Sequence, residues 1–217
     1  LVNVGGKPLL DHWLSKLDSL SCEHAFVNTH YLSSQVDEFI ASRHNSRMKT
    51  TILYEPDLLG TAKTLFQSRN SFEFSTTLVA HVDNATSDNL QELYLAHLSR
   101  PSHCVMTMMT FYTETPESCG IIEKDSNNVV VGFHEKSPNY HGNCANSAIY
   151  ILDPEFWKYM DSLGSGYVDF STDVIPLLVG KIYAVHTSEP FFDIGTPQNL
   201  KKALSLWPNP SSIMYNV

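Results

Sequence analysis

Residues 77–84, Thr-Leu-Val-Ala-His-Val-Asp-Asn, form an apolar run that ends abruptly in two polar residues. A run of this length and composition is typical of a buried strand in a parallel sheet. Because ligands bind beyond the carboxyl ends of strands in open α/β sheets, Asp83 is a candidate ligand-binding residue. A turn or helix cap is the structural alternative for the same carboxylate.

Helical and strand-like patterns alternate before and after this run. Apolar residues at helical spacing predict helices over 8–20, 60–72 and 90–98, and a further helix capped by Ser33 or Ser34. Strands are predicted over 25–28 and 51–54. The alternation predicts a three-layer α/β/α fold, Rossmann-like, with a mainly parallel central sheet.

The pattern changes from Cys104 onward. Strand-like runs dominate there, at 105–112, 120–123, 129–135 and 145–152. They predict an extension of the sheet or a small β lobe, and the turn formers at 125–128 predict a hairpin. Helical patterns return after Pro154 and after Ser171 or Thr172, a last strand follows over 182–185, and a helix closes the pattern over 198–207. We therefore expect one domain over residues 1–207 and a loose tail over 208–217.

Asp193 has the same kind of placement as Asp83, since it follows Phe191 and Phe192 and precedes Gly195. Two carboxylates of this kind could share one Mg²⁺, which prefers oxygen ligands and usually holds substrate phosphates as well. Lys136 follows the strand-like run 129–135, where its charge could neutralise a phosphate. An exposed lysine flanking a strand is the equally weighted alternative.

The segment Gly5 to Pro8 and the residue His81 are interpreted as structural rather than ligand-binding. The residues Gly5, Gly6 and Lys7 do not meet the phosphate-loop pattern, and Pro8 removes a backbone donor. His81 lies on the same strand face as Asp83, but a single inward histidine is more often a packed core residue than a metal ligand.

The bulk composition excludes several classes of protein. The 217 residues are 42% apolar and carry a formal net charge of −9, so a sizeable core is expected and nucleic acid is a poor partner. No apolar run approaches the ~20 residues of a membrane span, and no signal peptide is recognisable. A cytoplasmic protein is therefore expected. The four cysteines lack metal-site or disulfide spacing, so buried or inert thiols are expected.

Several motifs, taken in order, resemble the sugar-1-phosphate nucleotidyltransferases, and the resemblance covers nearly the whole chain. The more specific motifs are Cys119-Gly120-Ile121-Ile122, Phe133-His134-Glu135-Lys136, Ala145-Asn146-Ser147-Ala148-Ile149-Tyr150 and Asp193-Ile194-Gly195-Thr196-Pro197. Less specific similarities are Val4 to Leu10, Asn28 to Tyr31, and Glu55-Pro56 with Leu59 to Ala62. This family, which includes guanylyltransferases and uridylyltransferases that supply sugars for surface polysaccharide, joins a sugar-1-phosphate to a nucleoside triphosphate and releases pyrophosphate.

The resemblance implies a role for each matching residue. Asp83 and Asp193 would hold Mg²⁺ and Lys136 would contact the sugar phosphate. The sugar would be bordered by Gly120, Glu135 and Asn146, within a sugar-binding part over roughly 104–190. Glu55, Gly60 and Thr61 would bind the nucleotide. The implied reaction is direct in-line attack on the α-phosphorus without a covalent intermediate.

Two departures from the family pattern bear on activity. The family's first strand and glycine-rich basic loop would precede Leu1, so the chain is expected to be either a fragment or a catalytically weakened version that turns over poorly by itself. The family also usually has glycine before its metal-binding aspartate, where this chain has Val82. A non-catalytic nucleotide-sugar-binding or regulatory module and a phosphocholine cytidylyltransferase remain the alternatives, and a homo-oligomer is possible.

Overall fold

The structure is a computed structural model that describes residues 1–44, 46–138 and 142–207. Its contacts divide the chain into two compact units. Unit 1 comprises Leu1–Leu58, Val82–Leu90 and the described residues from Glu189 onward, and unit 2 comprises Leu59–His81 and Gln91–Ser188. The expectation of a single domain over 1–207 stays a prediction, and the predicted tail over 208–217 lies outside the described residues.

Unit 1 contains six strands and three helices among its described residues. They are β1 (Asn3–Val4), β2 (Lys7–Pro8), α1 (Leu9–Ser19), β3 (His24–Thr29), α2 (Ser33–Ser42), β4 (Lys49–Tyr54), β6 (Asn84–Thr86), β12 (Phe191–Asp193) and α6 (Pro197–Leu206). β3 and β4 pair in parallel, whereas β6 and β12 form an antiparallel ribbon. The leucines of α1 pack on this parallel pair, with Leu10 and Leu14 against Ala25 and Met48.

Unit 2 is built on a six-stranded sheet. Its elements are α3 (Thr61–Gln67), β5 (Thr77–Ala80), α4 (Leu90–Leu98, of which Leu90 belongs to unit 1), β7 (Met106–Tyr112), β8 (Gly120–Lys124), β9 (Val130–Glu135), β10 (Cys144–Leu152), α5 (Glu155–Leu163) and β11 (Ile182–His186). β10 is central, because it pairs with β7 on one side and with β5 and β8 on the other. β8 and β9 form the predicted hairpin and extend the sheet.

The α/β class is confirmed, but the prediction of a mainly parallel sheet is wrong. In the six-stranded sheet β7 and β11 run parallel, whereas β5, β7 and β8 all run antiparallel to β10. The decisive strand is β5, which the apolar run predicted as buried and parallel. It is half-buried, and it lies against the last four residues of β10, with pairs that run from Ala80–Ile149 to Thr77–Leu152.

The core of unit 2 lies between this sheet and α5. Phe156, Trp157 and Met160 of α5 are buried there, and they occupy the i, i+1 and i+4 positions that give a helix one apolar face. A short π-helical segment, Phe170–Val174, adds Phe170 to the same cluster. Among the described residues, no helix has the length and apolar character needed to cross a membrane.

Candidate functional site

The two predicted metal carboxylates lie together in unit 1, at one end of the β6–β12 ribbon. Asp83 immediately precedes β6 and Asp193 is the last residue of β12, where it pairs with Asn84. The Ile194 amide donates to the Asp83 carbonyl at 2.9 Å, which ties the two segments together. Both aspartates are exposed, so their oxygens remain accessible to a ligand.

Gly195 leaves the space between these two carboxylates open. A Cβ atom at Gly195 would lie 3.0 Å from Asp193 Oδ1 and 3.9 Å from Asp83 Oδ2, so both carboxylates have an oxygen within 4 Å of one point. The Gly195 amide also donates to Asp193 Oδ1 at 2.8 Å. Two converging hard oxygen donors suit Mg²⁺, which keeps several of its positions for water and phosphate oxygens. The described residues contain no group of three or more His, Cys, Asp or Glu side chains arranged for a metal, so His81 joins no such cluster.

Val82 lies directly before Asp83, where the similar nucleotidyltransferases usually have glycine, and its side chain is not buried. The residue is 50% exposed. The departure at Val82 therefore adds an exposed apolar group directly before Asp83.

Glu55 lies in unit 1 beyond the carboxyl end of the β3–β4 pair. Its amide donates to the Thr29 carbonyl at 2.8 Å, and the His30 ring nitrogen Nδ1 lies 2.8 Å from the Glu55 carbonyl. Glu55 is buried, in contrast to the exposed Tyr54 and Pro56 on either side. Both the amide and the carbonyl of Glu55, a predicted nucleotide-binding residue, are therefore fixed by hydrogen bonds.

Gly60 and Thr61, the other predicted nucleotide residues, lie in unit 2 and contact the segment before the π-helix. A Cβ at Gly60 would lie 2.6 Å from the Val168 carbonyl oxygen, and the Gly60 φ of +96° also favours glycine. The Thr61 hydroxyl accepts from the Phe170 amide at 2.8 Å and donates to Asp169 at 3.3 Å. The Thr61 side chain thus joins α3 to residues 169–170, and a contact between Thr61 and a base stays a prediction.

Gly120, Glu135 and Lys136 come together in unit 2, on the β8–β9 hairpin. Gly120 pairs with Glu135, and a Cβ at Gly120 would lie 2.5 Å from Glu135 Oε2. Only glycine leaves room for the carboxylate in this conformation. Lys136 has a φ of +45°, its amide donates to the Cys119 carbonyl at 3.0 Å, and its side chain is 67% exposed. Its ammonium lies 3.9 Å from Glu135 Oε1.

Burial raises the pKa of Glu135 above that of an ordinary glutamate, and the charge of Asp169 raises it further. Lys136 opposes this shift, because its ammonium favours the ionised carboxylate. Asp169 itself was not predicted from the sequence. Its short side chain caps the π-helical segment by accepting from the Ser171 and Thr172 amides, and an aspartate two residues before Ser-Thr is the signal that could have identified it.

Asn146 stabilises an irregularity in β10. The pairing of β10 with β7 shifts between Asn146 and Tyr150, and Ala148 has a φ of +54°. The Asn146 side chain accepts from the Ala148 amide at 2.9 Å and donates to the Tyr150 hydroxyl at 2.8 Å. Tyr150 is fully buried, and burial raises its pKa. These bonds fix the Asn146 amide, and its contact with a sugar stays a prediction.

Comparisons with known proteins agree with the resemblance. The family model described as nucleotidyl transferase matches residues 1–207. The chain is similar to the mannose-1-phosphate guanylyltransferase catalytic subunit beta of Drosophila melanogaster, with 23% identity over 95% of this chain and 56% of the relative. It is 22% identical to the mannose-1-phosphate guanylyltransferase of Mycobacterium tuberculosis, over 92% of this chain and 55% of that protein. The chain thus spans just over half the length of these relatives.

Two solved structures share the fold. A Bacillus anthracis protein assigned as a glucose-1-phosphate thymidylyltransferase, crystallised with sucrose, superposes with a TM-score of 0.83 and 20% identity, over 95% of this chain and 85% of that one. HddC from Yersinia pseudotuberculosis gives a TM-score of 0.75 at 20% identity, over 94% and 87% of the two chains. Both likenesses concern the fold alone.

Proposed function

Because this chain belongs to the nucleotidyl transferase family, we propose that it transfers a nucleotidyl group from a nucleoside triphosphate to a sugar-1-phosphate. The products are a nucleotide-sugar and pyrophosphate. The observation that carries the proposal is the convergence of the Asp83 and Asp193 carboxylates around Gly195, since phosphoryl chemistry of this kind requires a cation beside the triphosphate.

In this proposal Asp83 and Asp193 hold Mg²⁺ in unit 1. Their carboxylates supply the hard oxygen ligands, and the bound ion would offset negative charge on the phosphates. The Gly195 amide keeps Asp193 Oδ1 in place by donating to it. Both aspartates are exposed, so a charged ligand can reach them from solvent.

Lys136 and Glu135 act on the sugar-1-phosphate. The Lys136 ammonium is exposed and binds the phosphate, whereas the Glu135 carboxylate, for which Gly120 leaves room, binds the sugar. The reaction joins a phosphate oxygen of the sugar-1-phosphate to the α-phosphorus as the bond from that phosphorus to the pyrophosphate oxygen breaks. Lys136 stabilises the negative charge that accumulates as the two phosphates approach.

Glu55, Gly60 and Thr61 contribute to nucleotide recognition in the same proposal. Guanine is the first base to test, since the Drosophila melanogaster and Mycobacterium tuberculosis relatives are both mannose-1-phosphate guanylyltransferases. We further propose a cytoplasmic enzyme that supplies nucleotide-sugar for surface polysaccharide, with a homo-oligomer as the state to test by light scattering.

The test is pyrophosphate release with Mg²⁺, using GTP, UTP, dTTP, CTP and ATP each paired with mannose-1-phosphate and glucose-1-phosphate, and CTP also paired with phosphocholine. We expect a nucleotide-sugar with at least one pair, and Asp83→Asn should lower turnover by about 10² because it removes one charged contact. Asp37→Asn, at an exposed position of α2, is the matched control and should leave turnover unchanged.

Three results would contradict the proposal in different ways. Pyrophosphate release from CTP with phosphocholine, but from no pair with a sugar-1-phosphate, would make the protein a phosphocholine cytidylyltransferase. Nucleotide-sugar binding without pyrophosphate release from any pair would make it a non-catalytic module. Equal rates for Asp83→Asn and Asp37→Asn would remove the metal site from the mechanism.

A further inference from the structure

Helix α1 faces the β6–β12 ribbon with two side chains one turn apart. Trp13 is 5% exposed, and its indole Nε1–H donates to the Asn84 carbonyl at 2.9 Å in a buried hydrogen bond. The Lys16 ammonium donates to the Asp88 carbonyl. Positions i and i+3 lie on the same face of a helix, so one short stretch of α1 makes both contacts.

These two contacts reach opposite ends of the ribbon. Asn84 lies directly after Asp83 and pairs with Asp193, so the indole bonds the backbone at the end that carries both carboxylates. At the other end of the ribbon, charged side chains also interact. Lys16 is electrostatically coupled to Asp88, which follows β6, and to Glu189, which precedes β12.

A two-stranded ribbon is marginally stable in water without further packing. Mg²⁺ demands near-octahedral geometry at about 2.0 to 2.1 Å, so small shifts of its ligands weaken binding. We propose that Trp13 is a positioning residue for the Asp83 and Asp193 carboxylates, with Lys16 holding the far end of the same ribbon. The proposal rests on the metal-binding role proposed above for these two aspartates.

Trp13→Phe separates the hydrogen bond from the packing, because phenylalanine keeps an aromatic ring and lacks the N–H donor. The chain offers a matched control in Trp157, which is 3% exposed and whose Nε1 has no hydrogen-bond partner among the described residues. Trp157→Phe makes the same change of ring without removing a hydrogen bond. A purely structural loss should therefore affect both variants alike.

The experiment titrates the 217-residue chain with Mn²⁺ and follows free Mn²⁺ by electron paramagnetic resonance. We expect Trp13→Phe to weaken Mn²⁺ binding by about tenfold, the lower end of the effect of removing an outer-sphere partner, and Trp157→Phe to stay within about twofold of the parent. Hydrogen exchange at the Ile194 amide, which bonds Asp83, should be faster in Trp13→Phe. Lys16→Met, which keeps the apolar stem, should weaken binding in the same direction and serves if Trp13→Phe does not fold.

The possible failures are distinguishable. If Asp83→Asn abolishes Mn²⁺ binding while Trp13→Phe and Lys16→Met bind as the parent does, the positioning role is refuted and the metal site stands. If the parent chain binds no Mn²⁺, or binds it equally well with Asp83→Asn, the metal site of the proposed function is refuted and the positioning role falls with it.

Discussion

His97 makes the stability of unit 2 sensitive to acid. Its side chain is 1% exposed, its Nδ1 lies 2.8 Å from the Thr107 hydroxyl, and its Nε2 is buried without a partner among the described residues. The pKa of His97 is lowered from 6.5 to about 4, mainly by burial and also by the nearby Arg100 guanidinium, while Asp153 opposes the shift. The neutral imidazole is therefore the form compatible with the fold.

The direction and size of the effect follow from this pKa. Because the folded pKa lies below the unfolded one, the unfolded chain takes up the proton first, so stability is fully present above about pH 6.5 and is lost as the pH falls towards 4. A gap between 6.5 and about 4 corresponds to about 3 kcal/mol in the free energy of unfolding. This is a large share of the stability of a typical domain.

Urea unfolding at several pH values between 4 and 7.5 measures the effect. His97→Asn places an amide where Nδ1 bonds Thr107 and removes the titration, so the difference in unfolding free energy between parent and variant should shrink by about 3 kcal/mol over this range. The contributions of the other histidines cancel when the unfolding free energy of the variant is subtracted from that of the parent. His103→Asn, at an exposed position, is the control and should show no such change. A parent-minus-variant difference that is constant with pH would refute the argument.

Two further predictions concern the hairpin that carries Glu135. Lys136→Met should lower kcat/KM for the sugar-1-phosphate by about 10² while nucleotide affinity, measured by titration, changes far less, with the exposed Lys158→Met as the control. A large loss of nucleotide binding with sugar kinetics intact would place Lys136 in a different subsite. Gly120→Ala should displace the Glu135 carboxylate and the Phe133 ring and also lower kcat/KM by about 10², whereas Gly132→Ala on the same hairpin meets only the exposed Glu123 side chain. Equal kinetics for these two alanine variants would contradict the role given to Glu135.

The sequence predicted the existence of most strands and helices but not the direction of the strands. Apolar spacing reports which residues are buried, and it contains no information on which distant strand pairs with which. The run before Asp83 was therefore recognised as a strand, while its antiparallel partner, residues 149–152 of β10, could not be inferred. The predicted helix cap at Ser33 or Ser34 is also wrong, since α2 begins at Ser33 and Leu32 occupies the cap position without a side-chain hydrogen bond.

The candidate site shows the same division. The placement of Asp83 and Asp193 after apolar runs predicts both as ligand-binding carboxylates, and this role stays a prediction. The two lie near each other because β6 and β12 pair antiparallel, not because two parallel strands end together. The supporting contacts were missed, because a tryptophan among leucines, such as Trp13, predicts burial and not the carbonyl to which its indole donates. A sequence motif also does not distinguish a side chain that bonds within the fold, as Thr61 does, from one that contacts a ligand.

The main-chain contact between Val168 and the start of α3 determines which positions in this part of unit 2 tolerate substitution. The Val168 carbonyl accepts from the amides of Ala62 and Lys63 at 2.9 and 3.3 Å, and any residue at position 168 offers the same carbonyl. Gly60 has no such freedom, because a Cβ there would meet that oxygen at 2.6 Å. In natural variants of this protein position 168 should accordingly accept many side chains, whereas a replacement of Gly60 should be rare and accompanied by a shift of the 168 backbone.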